Sequence, residues 1–306
     1  MRPIRVGTRG SALALAQARW VQGELSRLHS GLTVELAIIK TSGDRIQDRS
    51  LAEIGGKGLF VKEIEEALLR GEVELAVHSM KDLPAVLAAG LEIGAVPRRE
   101  DAGDVLVCRQ AAALADLPPR PRVGTSSLRR AALLRSERAD VEVVPMRGNV
   151  DTRLRRLDEG VVDALVLAAA GLNRLGVTPA GAMRLDPSRF VPAIGQGALA
   201  IEARAGELAE LLAALDDEST HAAIRAERGF MRGVGGSCTT PLAAHARVDG
   251  AALSLDAVIL SPDGTREVRG ARRGAAADAA RLGEDLAEEL MRRGGAEILR
   301  ALGAVP

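Results

Sequence analysis

Short apolar runs alternate with amphipathic stretches along the first two thirds of the chain. A short apolar run is typical of a buried strand, and apolar positions that recur every three to four residues are typical of a helix packed on it. The first run, Ile4–Thr8, precedes a helical pattern that begins near Ala12, and the next run is Val34–Ile39. This order of strand, helix and strand predicts an α/β fold.

The same pattern occurs twice, which predicts two similar βαβ lobes. The matching stretches are Ile4–Thr8 with Pro121–Thr125, Val34–Ile39 with Val141–Val144, and Gly71–Val77 with Gly160–Val166. Ligands of such folds usually bind beyond the carboxyl ends of the strands. We therefore expect a cleft between the two lobes.

The last quarter of the chain has a different pattern. Apolar residues alternate with small or polar ones from Leu253 to Ile259, and a Ser-Pro-Asp-Gly turn begins at Ser261. These features predict a β-hairpin with one buried face. A helical pattern rich in Ala and Leu follows at residues 275–302, with a break at the glycine pair 294–295. We expect a small α+β domain here.

The composition excludes several classes of protein. Lys plus Arg and Asp plus Glu both number 41, so the formal net charge is zero, and the chain has no Tyr, one Trp and three Phe. Balanced charge and few aromatic rings argue against a nucleic-acid surface that stacks bases. The four His residues lack metal-ligand spacing, so no metal site is expected.

Apolar runs and cysteines indicate the compartment. No run reaches the roughly 18 residues of a membrane span, and the N-terminus shows no signal-peptide core. We therefore expect a cytoplasmic protein without membrane contact. Cys108 and Cys238 lie far apart in sequence, and free thiols are the expectation in a reducing compartment. Cys108 ends a buried-strand pattern and is interpreted as a packing residue.

Cations cluster at the ends of predicted loops. Arg129 and Arg130 fall in the first turn of a helix that Ser126 or Ser127 would cap, where a cation is unfavourable beside the positive end of the helix dipole. The others are Arg9 before the first helix, Lys57 before a helix at Leu59–Arg70, Arg153 after the caps Asn149 and Asp151, and Arg147 and Arg174 after strands. Free N–H groups and cations in such places favour an anion-lined cleft.

Two further residues could carry chemistry. Asp82 follows Lys81 in a loop after a predicted strand, where the carboxylate could act as an acid or base or stabilise a positive charge. Its cationic neighbours are expected to keep it ionised. Cys238 lies in a glycine-rich loop. It could be a nucleophile, an attachment point or a buried structural thiol. His221 and His245 flank Cys238 in sequence, but no spacing rule joins them to it.

Seven segments in chain order resemble the porphobilinogen deaminase (hydroxymethylbilane synthase) family, and the likeness runs nearly end to end. They are Gly55-Gly56-Lys57-Gly58-Leu59-Phe60, His78-Ser79-Met80-Lys81-Asp82, Gly124-Thr125-Ser126-Ser127-Leu128-Arg129-Arg130, Arg147-Gly148-Asn149-Val150, Ala170-Gly171-Leu172-Asn173-Arg174-Leu175-Gly176, Pro192-Ala193-Ile194-Gly195-Gln196-Gly197 and the Cys238 loop. Together they are specific for this family.

The resemblance implies an α/β fold with two periplasmic-binding-protein-like βαβ lobes around a cleft and a small α+β C-terminal domain. We expect domain 1 at residues 1–95 and 195–215, domain 2 at 96–194, and domain 3, which carries the cofactor, at 216–306. It implies a transferase of haem-type porphyrin biosynthesis that condenses four porphobilinogen molecules into hydroxymethylbilane and releases ammonia at each step. It also implies one covalent dipyrromethane primer per chain, joined by a thioether to Cys238.

Site residues follow from the matching motif positions. The resemblance assigns Asp82 to catalysis, where it would stabilise the cation formed on loss of ammonia and shuttle a proton. The residues implied to hold cofactor and substrate carboxylates are Arg9, Ser11, Lys57, Ser79, Lys81, Thr125, Ser127, Arg129, Arg130, Arg147, Arg153, Arg174 and the hinge residue Gln196. Many relatives have a lysine where this chain has Glu53, which puts one cationic contact of the glycine-rich lid in doubt. A monomer is the family expectation.

Two other classes of function remain open at this point. A non-catalytic two-lobed protein that binds organic anions would have the same lobes and cations, but it has no use for Asp82 or Cys238 at their motif positions. A cysteine-dependent hydrolase would use Cys238 with His221 or His245 and would keep a reactive thiol.

Overall fold

The computed structural model describes residues 3–45, 60–109, 111, 113–235 and 240–303. Three residues singled out above, Glu53, Lys57 and Cys238, lie outside the described residues. The chain divides into two compact units: Met1–Glu100 with Ala198–His221, and Asp101–Gly197 with Ala222–Pro306. The three-domain boundaries drawn from the sequence stay a prediction.

Both units contain strands and helices. The strands are β1 (Ile4–Thr8), β2 (Val34–Ile38), β3 (Leu75–Ser79), β4 (Leu91–Ala95), β5 (Asp104–Cys108), β6 (Arg122–Gly124), β7 (Glu142–Val144), β8 (Ala164–Ala168), β9 (Ala182–Arg184), β10 (Leu199–Arg204), β11 (Leu242–Asp249), β12 (Ala252–Leu260) and β13 (Glu267–Ala275). The α-helices are α1 (Ala12–Leu28), α2 (Ser42–Arg45), α3 (Lys62–Leu69), α4 (Leu128–Glu137), α5 (Val150–Asp158), α6 (Ala169–Leu175), α7 (Ala209–Ala213), α8 (Glu218–Val234), α9 (Ala279–Leu290) and α10 (Ala296–Ala301).

The first unit is built on a five-stranded sheet with the order β2-β1-β3-β10-β4. Strand β1 is parallel to β2 and β3, whereas β10 runs antiparallel to β3 and β4. The apolar face of α1, with Ala18, Val21 and Leu25, packs in one cluster with Leu75 and Ile201 of the sheet. Burial of this face stabilises the helix far more than its intrinsic propensity does.

The second unit repeats this topology. Its first sheet has the order β7-β6-β8-β5-β9, with β6 parallel to β7 and β8, and β5 antiparallel to β8 and β9. In each sheet the fourth strand, β10 or β5, runs antiparallel to both of its neighbours. The prediction of two similar βαβ lobes is therefore confirmed, and with it the α/β fold class.

A three-stranded antiparallel sheet, β11-β12-β13, completes the second unit. The apolar positions of β12 from Leu253 to Ile259 that alternate in sequence are fully buried, so the hairpin prediction is confirmed. Val258 and Leu260 share one core cluster with Leu106 and Leu133 of the βαβ lobe. The predicted helix break is present too, because Gly294 has a φ of 116° between α9 and α10, a value that favours glycine.

Two features differ from the sequence prediction. Strand β3 runs from Leu75 to Ser79, two residues beyond the end of the predicted stretch Gly71–Val77, and its pairing with β1 begins at Leu75. The sequence prediction also lacked β10, which enters the first sheet directly after the Pro192–Gly197 stretch; its residues from Ala198 to Ala203 are buried. No helix among the described residues is long and apolar enough to cross a membrane.

Candidate active site

A concave pocket lies at the carboxyl ends of β1 and β3 in the first unit. Parallel neighbouring strands end at the same edge of a sheet, so the residues that follow β1 and β3 come together there. The pocket has an empty volume of about 410 Å³, part of it open to solvent, and Arg9, Ser11, Gln17, Phe60, Val61, His78, Ser79 and Asp82 are among its lining residues. Four residues predicted from the motifs, Arg9, Ser11, Ser79 and Asp82, therefore share one pocket.

The N-terminus of α1 forms one wall of this pocket. Ser11 caps the helix, and its Oγ accepts a hydrogen bond from the backbone N–H of Ala14 at 3.3 Å. The guanidinium carbon of Arg9 lies 4.1 Å from the ring centroid of Phe60, a cation–π contact that orients the side chain. The wall thus combines a cation with the partly positive end of a helix, which suits an anionic group.

Ser79 is held by a residue that the sequence prediction missed. Nε2 of Gln17 donates to Oγ of Ser79 at 2.9 Å, and Gln17 is only 3% exposed. The one available signal was a polar residue on the apolar face of α1, beside Ala14, Ala18 and Val21. Because a buried amide requires partners, this hydrogen bond fixes Ser79 in one orientation.

Asp82 ends a short 3₁₀ turn, Met80–Asp82, that follows β3. The turn is anchored by the buried side chains of Met80 and Leu83, and the backbone N–H of Met80 donates to the carbonyl of Ala198 at 3.0 Å. Asp82 itself is exposed in the pocket, and Lys81 beside it is half-buried. The carboxylate is therefore held on a rigid turn while it stays accessible to a substrate.

His78, which lines the pocket, faces a buried carboxylate. Nε2 of His78 is 3.0 Å from Oε2 of Glu202, and both side chains are almost inaccessible to solvent. Burial and the charge of Glu202 raise the pKa of Glu65, although the backbone N–H of Ala88 and the charge of His78 act against the shift. The sequence prediction did not include Glu202 or Glu65, which carry no motif signal of their own.

The second unit holds the other five predicted arginines, and two of them converge on one carboxylate. Arg129 Nη1 lies 2.7 Å from Oδ2 of Asp104, and Arg130 Nη2 lies 2.7 Å from Oδ1. All three residues are buried: Arg129 is 4% exposed, Arg130 6% and Asp104 1%. Burial would raise the pKa of Asp104, but the charges of the two arginines outweigh it and hold the pKa well below its usual range.

The loop before α4 supplies polar groups to the same region. Ser127 caps α4, and its Oγ accepts from the backbone N–H of Arg130 at 3.4 Å. Oγ1 of Thr125, which is buried, accepts from the backbone N–H of Ser127 at 3.2 Å. The local sequence therefore places Arg129 and Arg130 in the first turn of α4, as the sequence predicts.

Gln196 is an internal partner of this cluster. Its Nε2 donates to the carbonyl of Ala102 at 2.7 Å and to Oδ1 of Asp104 at 2.9 Å, and its Oε1 accepts from Arg130 at 3.4 Å. Gln196 is 1% exposed. Its predicted contact with cofactor or substrate stays a prediction.

Arg153, on α5, differs from the paired arginines. Its Nε donates to the carbonyl of Gly148 at 2.9 Å, and no carboxylate among the described residues forms an ion pair with it. Burial, followed by the charge of Arg130, lowers the pKa of Arg153 to about 10. A half-buried cation without an acidic partner is a place where an anionic ligand is stabilised.

The two remaining predicted arginines are half-buried as well. Arg174 donates from Nη2 to the carbonyl of Gly197 at 2.8 Å, close to the Gln196 loop. Arg147 directly precedes the Gly148 turn, whose carbonyl accepts from Arg153. The structure thus gathers the predicted residues into two groups, one in each unit. Among the described residues, no group of His, Cys, Asp and Glu could hold a metal ion.

These two groups define a class of protein. The arginine cluster of the second unit suits an organic ligand that carries several carboxylates. The pocket of the first unit presents an exposed carboxylate of its own, Asp82. Forked arginine donors match carboxylates well, so the donor set present fits a polycarboxylate cofactor.

Comparison with known proteins identifies the family. A family model described as "Porphobilinogen deaminase, dipyromethane cofactor binding domain" matches residues 4–232, and one described as "Porphobilinogen deaminase, C-terminal domain" matches residues 221–292. A porphobilinogen deaminase of Syntrophobacter fumaroxidans is 51% identical over 303 residues, which is 98% of each chain. One of Roseiflexus castenholzii is 51% identical over 298 residues, or 97% of this chain and 98% of the other.

The chain belongs to the porphobilinogen deaminase family. It is an enzyme of the hydroxymethylbilane synthase type, a transferase of tetrapyrrole biosynthesis, and the greater part of it is the family's dipyrromethane cofactor-binding domain.

Solved structures of binding proteins share less sequence with this chain. A nutrient-binding protein from Burkholderia cenocepacia bound to methionine aligns with a TM-score of 0.42 and 14% identity, over 69% of this chain and 90% of the other. The probable amino-acid transporter binding protein ytmK of Bacillus subtilis aligns with a TM-score of 0.41 and 12% identity, over 69% and 88%. The fold class rests on the strand topology of the two lobes.

Proposed function

We propose that this chain condenses four porphobilinogen molecules head to tail into hydroxymethylbilane and releases one ammonia with each addition. Family membership gives the reaction. One observation supports the assignment of residues. An accessible carboxylate, Asp82, lies in the pocket of the first unit, and a cluster of arginines surrounds Asp104 in the second unit.

When bound, the dipyrromethane cofactor would supply the free pyrrole carbon to which the first substrate unit is joined. Each later unit would be joined to the ring added before it, and hydrolysis by water would release the tetrapyrrole from the cofactor. Cys238 would hold this group through a thioether, as the family motif implies. The same motifs imply which residues would hold cofactor and substrate. They are Arg9, Ser11, Lys57, Ser79, Lys81, Thr125, Ser127, Arg129, Arg130, Arg147, Arg153, Arg174 and Gln196. Since every porphobilinogen carries an acetate and a propionate, each added ring brings two more carboxylates that require cations.

Asp82 would act on the reacting substrate. Loss of ammonia leaves a positive charge on the substrate pyrrole, and a fixed carboxylate near the pyrrole N–H stabilises that charge. After the carbon–carbon bond has formed, one proton leaves the ring, and the same carboxylate can accept it and pass it to solvent. The rigid 3₁₀ turn and the exposed position of Asp82 support both roles.

The other two classes of function have less support. A non-catalytic binding protein for organic anions would need the arginines but neither Asp82 nor Cys238. The hydrolase hypothesis requires a reactive thiol at Cys238, whereas the family model that matches residues 4–232 is described as a dipyrromethane cofactor-binding domain.

The cellular setting belongs to the same proposal. The substrate is a small soluble molecule, and we expect the enzyme to work in the cytoplasm as a monomer, without nucleic acid or membrane as a partner. The net charge of zero supports the absence of a polyanionic partner.

The stoichiometry of the reaction tests the proposal. Purified protein is mixed with porphobilinogen, and ammonia, remaining substrate and the linear tetrapyrrole are measured over time. We expect four ammonia and four consumed substrate molecules for each tetrapyrrole. Binding of porphobilinogen without release of ammonia would favour the non-catalytic alternative instead.

A further inference from the structure

One acidic residue outside every motif quoted above lies at the centre of the arginine cluster. Asp104 begins β5, and its carboxylate has two cationic partners, Arg129 and Arg130, and one amide partner, Gln196. No other carboxylate among the described residues forms an ion pair with either arginine. The reaction assigns no chemical step to Asp104, so its role has to be found in what it holds.

The cluster would be unstable without this carboxylate. Two adjacent guanidinium groups lie in the buried first turn of α4, where burial, mutual repulsion and the positive end of the helix dipole all act against their charges. Burial is accordingly the main cause that lowers the pKa of Arg129, and the charge of Arg130 adds to it, whereas Asp104 opposes both. A single buried carboxylate leaves the trio with one net positive charge.

The hydrogen bonds of the two arginines differ in a way that points to a ligand. Arg130 directs Nε and Nη2 to Oδ1 of Asp104, and its Nη1 donates to the carbonyl of Val166 at 2.9 Å. Arg129 uses only Nη1, which contacts Oδ2 of Asp104 and donates to the carbonyl of Val191 at 2.8 Å. Nη2 of Arg129 has no partner among the described residues, and its Nε is buried without one.

The geometry therefore gives the two arginines different tasks. Arg130 is tied into the protein on three of its nitrogens and cannot turn without breaking buried hydrogen bonds, which is unfavourable. Arg129 is fixed at one nitrogen by the opposite oxygen of the same carboxylate, and Nη2 remains to donate. Oδ1 of Asp104 thus hydrogen-bonds Arg130, while Oδ2 holds Arg129 by an ion pair alone.

We propose that Asp104 is a positioning residue for the polypyrrole site: it fixes Arg129 against Arg130 and neutralises one of their two charges, so that Nη2 of Arg129 can bind a ligand carboxylate. This inference rests on the proposed function, because the ligand is the cofactor or the growing chain. Asp104 itself does not touch the ligand.

Loading of the cofactor tests this proposal without relying on turnover. Apoprotein is treated with porphobilinogen, and the fraction that carries a covalent dipyrrole is followed by intact-protein mass spectrometry. The Asp104→Glu variant keeps the charge but moves the carboxylate outward by one methylene group. Since a misplacement of about 1 Å can lower a rate roughly 100-fold, we expect loading to slow by one to two orders of magnitude.

Two further variants separate position from charge and from stability. Asp104→Asn removes the charge and is expected to load even more slowly and to melt at a lower temperature. Asp140→Asn is the matched control, because Asp140 also pairs with an arginine of the second unit, Arg138 at 2.8 Å, but at the surface. It should load like the wild type. All rates are measured below the melting temperature of the least stable folded variant.

The outcomes are distinct. Wild-type protein that never acquires a dipyrrole would contradict the proposed function itself. Wild-type protein that loads, together with an Asp104→Glu variant that loads at the same rate, would overturn the positioning role alone. If Asp104→Asn does not fold, the Asp104→Glu result still decides.

Discussion

The pocket of the first unit and the arginine cluster of the second handle charge in opposite ways. In the pocket, an accessible carboxylate, Asp82, is held by the backbone of a short turn, and the neutral pair Gln17 and Ser79 sets the hydrogen bonding. In the cluster, cations are buried or half-buried, and one carboxylate, Asp104, compensates two of them. A group that reacts must be reachable, whereas groups that hold a ligand gain strength from burial.

This contrast assigns different consequences to similar substitutions. Removal of the Asp82 carboxylate from the pocket should affect the chemical step, and removal of a charge from the arginine cluster should affect binding and loading.

Substitution of the attachment residue should have the largest effect. Cys238→Ala removes the sulfur to which the family's cofactor is joined, so we expect complete loss of covalent dipyrrole and of tetrapyrrole formation. Mass spectrometry and product assay measure the two effects. Cys108→Ala is the matched control, because Cys108 is a buried packing residue of β5. A loaded Cys238→Ala protein would place the attachment elsewhere.

The Asp82→Asn substitution tests the reacting group of the pocket. We expect the protein to keep its covalent dipyrrole and to lose turnover by roughly 100-fold or more, as is usual when a group that stabilises developing charge or transfers a proton is removed. The rate of ammonia release is measured together with the loaded fraction. Glu35→Gln, an exposed acid on β2, should leave both unchanged. Turnover near the wild-type value in Asp82→Asn would refute the catalytic role.

The Arg153→Gln substitution tests whether the arginines of the second unit bind the ligand. Among the described residues, Arg153 has no acidic partner. A lost charge-assisted hydrogen bond is worth about 1.5–3 kcal/mol, or roughly 10- to 100-fold in binding. We expect KM for porphobilinogen or the loading rate to change by that factor, with a smaller change in kcat. Arg155→Gln, on the same helix and exposed beside Glu159, is the control. An equal loss in both variants would mean that general charge, not a specific site, is responsible.

The Gln17→Leu substitution tests the neutral support of the pocket. Leucine fills a similar volume but cannot donate to Ser79, so the hydroxyl becomes free to rotate. We expect a loss of several-fold in kcat/KM, since a neutral hydrogen bond contributes about 0.5–1.5 kcal/mol. Gln22→Leu is the control. Gln22 lies on the same helix as Gln17 but outside the pocket, and its side chain donates to the carbonyl of Val34 on β2. Equal activity in the two variants would remove Gln17 from the site.

The smallest expected effect is on the pH dependence of the free energy of unfolding, through Asp104. The pKa of Asp104 is lower in the folded protein than in the unfolded chain, so the folded state binds fewer protons. Its stabilisation is present above about pH 4, the ordinary range of an aspartate, and is lost as the pH falls towards the lower folded pKa. Denaturant unfolding should therefore show a stability difference between wild type and Asp104→Asn that narrows below pH 4. A difference that is independent of pH would contradict this account of the cluster.

Much of the fold could be predicted from sequence periodicity. The start of α1 and the bounds of β1 agree with the pattern, because one buried face leaves a regular signal in the sequence. The inserted antiparallel strand β10 could not be predicted, because pairing between strands far apart in sequence leaves no periodic signal. Its neighbour in the sheet is β3, more than a hundred residues earlier.

The candidate site residues come from motifs, and their roles stay a prediction. Asp82 and the arginines follow from family motifs, and the structure places Asp82 in a pocket and Arg129 beside Arg130. Asp104, Gln17 and Glu202 were missed, because a residue that supports another one is recognised by its contacts. A buried acid in a strand looks unfavourable in sequence until its cations are seen.

The covalent state of the protein tests the central claim most directly. Intact-protein mass spectrometry of protein purified after expression should show the mass of the chain plus two condensed pyrrole units, and peptide mapping should place the addition on the peptide that contains Cys238. After addition of porphobilinogen, species that are heavier by successive pyrrole units should appear. Protein at the bare sequence mass, unchanged after incubation with porphobilinogen, would contradict the account.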